Sequence, residues 1–160
     1  EAPDREMQYQ AFRQQIRLAR EVRLPVIFHS RESHTEVLRM LREEHAQDVG
    51  GVMHYFQADE AIAREAIASG FYISLARPLL RLPDLQELAR RLPLEHIVLE
   101  TDAAPQPFKK NRRAWTEPHH IPEIAQKLAE LKGISTEEVA QATTANLARL
   151  LRRDVARARP

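Results

Sequence analysis

Four short apolar runs punctuate the first hundred residues, and the stretches between them carry helical periodicity. The runs are Val26 to His29, Val52 to Phe56, Phe71 to Leu75 and Ile97 to Thr101. Each is continuous rather than alternating, which is the pattern of a strand covered on both faces. Between them, Val37, Leu38 and Leu41 form one buried stripe, Ile62, Ala66 and Ile67 another, and Pro83 to Leu92 reads as a third crossover helix. Strands that alternate with helices pair in parallel and place their helices on the sheet faces. The fold class is therefore α/β with a parallel sheet.

The helix boundaries are signalled locally. Asp4 to Val22 reads as a helix with Phe12, Ile16 and Ala19 on one face and Arg13, Arg17 and Arg20 on others, and Leu24-Pro25 stops it. Ser33 to Glu36 and Ser135 to Glu138 both have the spacing of a capping box. Asp59 opens a helix that Gly70 closes. Pro118 to Leu131 is helical up to Gly133, and the last helix runs through Leu147, Leu150 and Leu151. Ala103 to Trp115 has two prolines, four basic residues and no periodicity, so residues 103–117 are expected to form a long basic surface loop. Residues 152–160 read as a frayed basic tail.

A chain of 160 residues fits one domain, here 1–160, and is far shorter than the about 250 residues of an eight-unit barrel. Four strands are too few to close one. With Glu1 in first place and a helix that already needs a packing partner, a fragment is expected. A formal net charge of +1 gives no whole-chain attraction to nucleic acid, so such a role must rest on local patches. The absence of cysteine excludes thiolate metal sites and disulfides and fits a reducing compartment. No apolar run has the length of a membrane span, and a cytoplasmic protein without a membrane partner is expected.

The chemistry concentrates at the ends of the runs. His29 closes V-I-F-H, His54 follows G-V-M, and Asp102 closes I-V-L-E-T-D. In parallel α/β architectures the carboxyl ends of strands share one rim, where ligands and catalytic groups sit. Either histidine alone reads more readily as an ordinary strand-end residue than as a ligand. The coincidence of both with a carboxylate favours a metal, because imidazole nitrogen and carboxylate oxygen are the usual ligands of zinc, manganese or iron in hydrolases. Asp102 then either ligates the metal or orients and deprotonates a water. Glu100, two residues earlier, points to the same side and either assists the site or serves as a buried ion-pair partner. Arg31 lies on the same rim. Lys109, Lys110, Arg112 and Arg113, with Trp115 close by, follow the Asp102 strand and suit phosphate and a stacked base. His119 and His120 decorate a first helical turn, His34, His45 and His96 fall on helix or loop surfaces, and Asn146 either ties down a loop or lies on an exposed helix face.

The ordered set L-P-V-I-F-H-S-R, V-M-H-Y-F, G-F-Y-I-S, I-V-L-E-T-D-A, E-P-H-H-I-P and A-T-T-A-N-L-A-R-L-L resembles the TatD family of metal-dependent deoxyribonucleases, among the amidohydrolase-like TIM barrels. The resemblance runs through nearly the whole chain. It implies a partial (β/α)8 barrel, roughly the last four strands with their helices, and two divalent ions (Mg, Mn or Zn) in the complete barrel. It further implies His29 and His54 as ligands of one metal, Asp102 as ligand of the other and possible base, and hydrolysis of DNA phosphodiesters with the basic loop on the backbone. The family's opening H-x-H pair and G-E-x-G-L-D glutamate are absent, and Asp102-Ala103-Ala104-Pro105-Gln106 departs from its usual loop. The implied enzyme therefore needs an upstream half for activity. The rival is a non-catalytic half-barrel that binds nucleic acid or assembles with itself or a completing partner. Amide or ester hydrolysis on the same ligands is a third reading, which the basic loop disfavours.

Overall fold

The computed structural model describes residues 4–103 and 115–152. In chain order the elements are α1 (Arg5–Val22), β1 (Val26–Phe28), α2 (His34–Glu43), β2 (Gly51–Met53), α3 (Glu60–Ala68), β3 (Phe71–Leu75), α4 (Pro83–Arg91), β4 (Ile97–Leu99), α5 (Ile121–Lys132) and α6 (Thr136–Leu150). The four strands form one parallel sheet in the order β1-β2-β3-β4. Each strand follows its neighbour through a helical crossover, as the alternation of the sequence requires.

The strands are shorter than the apolar runs, because the ladder outlasts regular strand geometry. His54 N donates to Phe28 O at 2.9 Å, Phe56 N to Ser74 O at 3.0 Å and Glu100 N to Leu75 O at 3.1 Å, all beyond the formal strand ends. The rim is thus hydrogen-bonded up to the residues that carry chemistry. At the opposite end, Gly51 faces Val26 so closely that any Cβ would run into its carbonyl, so only glycine allows β1 and β2 to pair there.

The two sheet faces are covered differently. Phe28, Met53, Phe71, Ile73, Leu75 and Ile97 point into the main core, against Leu38 and Leu41 of α2, Leu88 of α4 and Leu128 of α5. A fully buried leucine such as Leu38 or Leu41 contributes about 2 kcal/mol to stability. On the other face Val52, Tyr72 and Val98 form a smaller cluster beneath Leu150 of α6. Ile27 lies in register with Val52 but is 76% exposed, so this face is uncovered at the β1 edge.

Tertiary contacts decide the caps. Ser135 and Glu138 form the expected capping box, with Glu138 N donating to Ser135 Oγ at 3.1 Å and Ser135 N to Glu138 Oε2 at 2.8 Å. The matching Ser33 to Glu36 box does not form: Ser33 occupies the cap without a side-chain hydrogen bond, and Glu36 is taken by Arg5 of α1. The expected helix from Pro118 begins instead as a 3-10 turn, Pro118–His120, before α5 starts at Ile121. Asp59 caps α3 through Ile62 N at 2.9 Å, and Gly70 and Gly133 take the left-handed conformation after α3 and α5.

The arginines that the periodicity of α1 places away from its apolar face bind neighbouring elements together. Glu44 is buried and accepts from Arg17 Nε at 2.6 Å and Arg13 Nη1 at 2.7 Å, while Arg13 also reaches Glu43 and Arg20 reaches Asp48 at 2.9 Å. Hydrogen bonds from Arg17 first and Arg13 second hold the Glu44 carboxyl down, from 4.5 to about 2. Asn146, buried in α6, donates to Leu94 O at 2.8 Å and Ile97 O at 2.7 Å and so ties that helix to the start of β4. Most of the expected basic loop, residues 104–114 with Lys109, Lys110, Arg112 and Arg113, lies outside the described residues, as do residues 153–160 of the expected tail. Among the described residues no helix is long and apolar enough to cross a membrane.

Candidate active site

His29, His54, Glu100 and Asp102 each follow the end of a strand, and parallel pairing brings them to one rim. His29 and His54 leave adjacent strands, with ring centroids 5.8 Å apart and the rings edge to face. His54 stands between two carboxylates from the end of β4. Its Nδ1 is 2.7 Å from Glu100 Oε2, and its Nε2 is 3.4 Å from Asp102 Oδ1. Glu100 uses its second oxygen to accept from Tyr55 N at 2.7 Å. A carboxylate on Nδ1 fixes the ring's orientation and tautomer and leaves Nε2 as the outward, basic nitrogen.

The backbone makes room for this arrangement by adopting left-handed conformations. Tyr55 has φ 52° and Asp102 φ 51°, and Glu32, three residues past His29, has φ 55°. Side chains other than glycine rarely adopt that region, at a cost of order 1 kcal/mol each. At Tyr55 the turned N–H meets Glu100, so the same carboxylate holds both the unusual turn and the histidine before it. The Glu100 side chain is only 19% exposed, whereas that of Asp102 is 55% exposed and open to a ligand.

Two open clefts flank Tyr55. One, of about 460 Å³, is lined by His29, Ser30, Arg31, His34, Tyr55 and Gln57. His34, which nothing in the sequence singles out, faces this cleft because α2 starts there, and its Nδ1 lies 2.7 Å from Ser30 Oγ. The other, of about 480 Å³, is lined by Tyr55, Arg77, Pro78, Arg81, Thr116 and Glu123. Trp115 is half-buried beside Thr116. His120 turns back on its own turn, its Nδ1 accepting from Glu117 N at 2.9 Å, and His96 lies against Tyr72, as residues outside the rim chemistry.

The donor chemistry fits a divalent cation in part. His29, His54 and Asp102 supply imidazole nitrogen and carboxylate oxygen, and Glu100 supplies the carboxylate-to-histidine hydrogen bond common behind metal-bound imidazoles. Yet among the described residues no three His, Asp or Glu side chains gather closely enough to hold a metal. The rim offers donors in pairs, and a catalytic site ordinarily draws on three protein ligands.

Residues 1–152 match the model of the family described as TatD related DNase. The chain is 37% identical over 153 residues to the uncharacterized metal-dependent hydrolase YabD of Bacillus subtilis, covering 92% of this chain and 59% of that protein. It is 37% identical over 147 residues to the human deoxyribonuclease TATDN3, covering 91% of this chain and 52% of that protein. Among solved structures, the TatD homologue YjjV of Escherichia coli superposes with a TM-score of 0.80 at 26% identity, over 96% of this chain and 61% of that one. A TatD family hydrolase of Entamoeba histolytica gives the same TM-score at 22% identity, over 93% of this chain and 58% of that one, and speaks for the fold alone. The chain spans less than two thirds of the length of these relatives. With a parallel α/β sheet carrying His29, His54 and Asp102 on its rim, the chain belongs to the TatD-related family of metal-dependent hydrolases and deoxyribonucleases.

Proposed function

We propose that this chain is the carboxyl-terminal part of a (β/α)8 barrel that hydrolyses DNA phosphodiesters with divalent metal ions. The observation that carries the reading is His54, held through Nδ1 by Glu100 and facing Asp102 through Nε2, beside His29 on the rim. In this reading His29, His54 and Asp102 are metal ligands, and donors from outside the described residues complete their coordination. A bound divalent cation supplies Lewis acidity toward a phosphoryl oxygen and lowers the pKa of water. Glu100 orients His54, Asp102 ligates or takes a proton from the attacking water, and Arg31 meets a phosphate oxygen. Lys109, Lys110, Arg112, Arg113 and Trp115 extend that contact along the strand. Of magnesium, manganese and zinc, the two imidazoles favour zinc, the carboxylate serves all three, and magnesium would need further oxygen donors.

Manganese-dependent release of nucleotides from single-stranded DNA by the complete barrel tests this reading. Asp102→Ala should lower the rate by about 10³-fold, at the scale of a lost acid-base or ligand group. An unchanged rate in that variant would remove Asp102 from the chemistry.

Two observations favour a second reading. The described donors do not reach three at any point, and the face carrying Ile27 is open at the β1 edge. Both suit a half-barrel that associates with a second copy or a completing partner and binds nucleic acid without cutting it. Intact mass together with light scattering separates the two: a mass near 18.5 kDa in a dimer without nuclease activity supports the assembly module.

A further inference from the structure

We infer that the cleft walled by Arg77 and Arg81, across Tyr55 from His29, is a second anion subsite, taking a backbone phosphate next to the one at the candidate metal site. Naming that phosphate as one of a nucleic-acid strand rests on the function proposed above.

Arg77 lies two residues beyond Leu75, the last residue of β3, so it stands on the same rim as His54 and Glu100. The 3-10 turn Arg77–Leu80 that carries it is firmly seated. Pro78 and Leu79 are buried, Leu79 N donates to Ala76 O at 3.0 Å, Leu82 N to Pro78 O at 2.9 Å, and Gln86 Nε2 to Leu79 O at 2.9 Å. Two guanidinium groups on a rigid turn lose little freedom when they bind, and their planar forks match phosphate oxygens.

The remaining arginines set these apart. Those of α1 to α4 are held by carboxylates, as Arg13 and Arg17 are by Glu44 and as Arg91 is by Glu60, and Arg149 of α6 is bound to Tyr72 and Asn146. Among the described residues only Arg23, Arg31, Arg77 and Arg81 have no side-chain hydrogen bond or ion pair. Arg23 lies at the far end of β1, and the other three are the rim arginines. Arg31 stands in the cleft on one side of Tyr55 and Arg77 and Arg81 in the cleft on the other. A strand laid across the rim would meet cationic groups on both sides of His54, with the Tyr55 ring between them for a base to stack on. Glu123, on the first turn of α5, is the acidic group of the second cleft and forms no ion pair with either arginine.

The test measures binding of a fluorescein-labelled single-stranded oligodeoxynucleotide by anisotropy, in EDTA, so that the metal does not enter. In the Arg77→Gln/Arg81→Gln double variant, affinity should fall about 10-fold, and the slope of log K against log salt should shrink by about 0.7 for each phosphate that is no longer bound. Glu123→Gln should tighten binding about twofold, and Arg23→Gln should leave both affinity and slope unchanged. Wild-type affinity and slope in the double variant would overturn the subsite while leaving the nuclease reading intact. Failure of the wild-type protein to bind the oligonucleotide at low salt would overturn the nucleic-acid reading, and the subsite with it.

Discussion

The α1/α2 flank and the carboxyl rim of the sheet hold similar residues in opposite states. On the flank, Arg13, Arg17 and Arg20 are matched by Glu43, Glu44 and Asp48, and charge is used up inside the protein. On the rim, Arg31, Arg77 and Arg81 have no carboxylate partner among the described residues, and His54 has both nitrogens aimed at carboxylates. Arginine and glutamate on the flank lock one helix to another. The same residue types on the rim are positioned without being neutralised, which is the condition for meeting an external ion.

The contrast is sharpest at Asp102. Its replacement by asparagine should abolish most hydrolysis, yet because the side chain is largely exposed and asparagine tolerates the left-handed backbone there the melting temperature should match the wild type; differential scanning calorimetry beside the nuclease assay would show whether rim and stability are separable. Glu100→Gln should weaken manganese binding 10 to 100-fold, as expected when the group behind a ligating histidine is changed, read by competition with a chromogenic chelator. Equal metal affinity in wild type and variant would reduce Glu100 to a structural support for Tyr55.

On the flank the order of effects reverses. Glu44→Ala should cost about 2 kcal/mol in urea unfolding, by removing the buried carboxylate that Arg17 and Arg13 share while Arg13 keeps Glu43, and leave the nuclease rate unchanged. The pH dependence has a definite sign. The folded carboxyl titrates at about 2 against an ordinary 4.5, so the folded state binds fewer protons across that interval. Its contribution is complete above pH 4.5 and is lost as pH falls toward about 2, and the wild-type and Glu44→Gln unfolding curves should converge over that window. The smallest effects concern the caps: Ser135→Ala should cost about 1 kcal/mol and Ser33→Ala close to nothing. Equal destabilisation at the two serines would mean that local spacing, and not tertiary competition, governs α2.

Those serines also mark where the sequence is readable and where it is not. Ser33 to Glu36 and Ser135 to Glu138 are written alike, but Arg5 lies 31 residues before Glu36 and claims it, a pairing no local window contains. The four strands, their parallel order and the rim positions of His29, His54 and Asp102 are legible because each closes an apolar run and parallel pairing puts run ends together. Glu100 is half-legible: its two-residue spacing from Asp102 places it on the right side, and only the turn at Tyr55 shows that it grips His54 and the backbone at once. Arg77 and Arg81 are invisible, since in sequence they resemble the flank arginines and differ in having no carboxylate partner among the described residues. Arg13 and Arg17 hide their role for the converse reason, their partner Glu44 lying at the end of another helix.

Asn146 bears on the timing of folding. Its side chain binds carbonyls 52 and 49 residues earlier, at the entry to β4, the strand that delivers Glu100 and Asp102 to the rim. Closing so long a loop is slow compared with forming the local helices, so β4 gains this anchor only after α6 has been synthesised and docked. On a ribosome, the histidines would be in place before the carboxylates that face them, and a nascent chain halted short of Asn146 would carry the two imidazoles with no fixed counterpart.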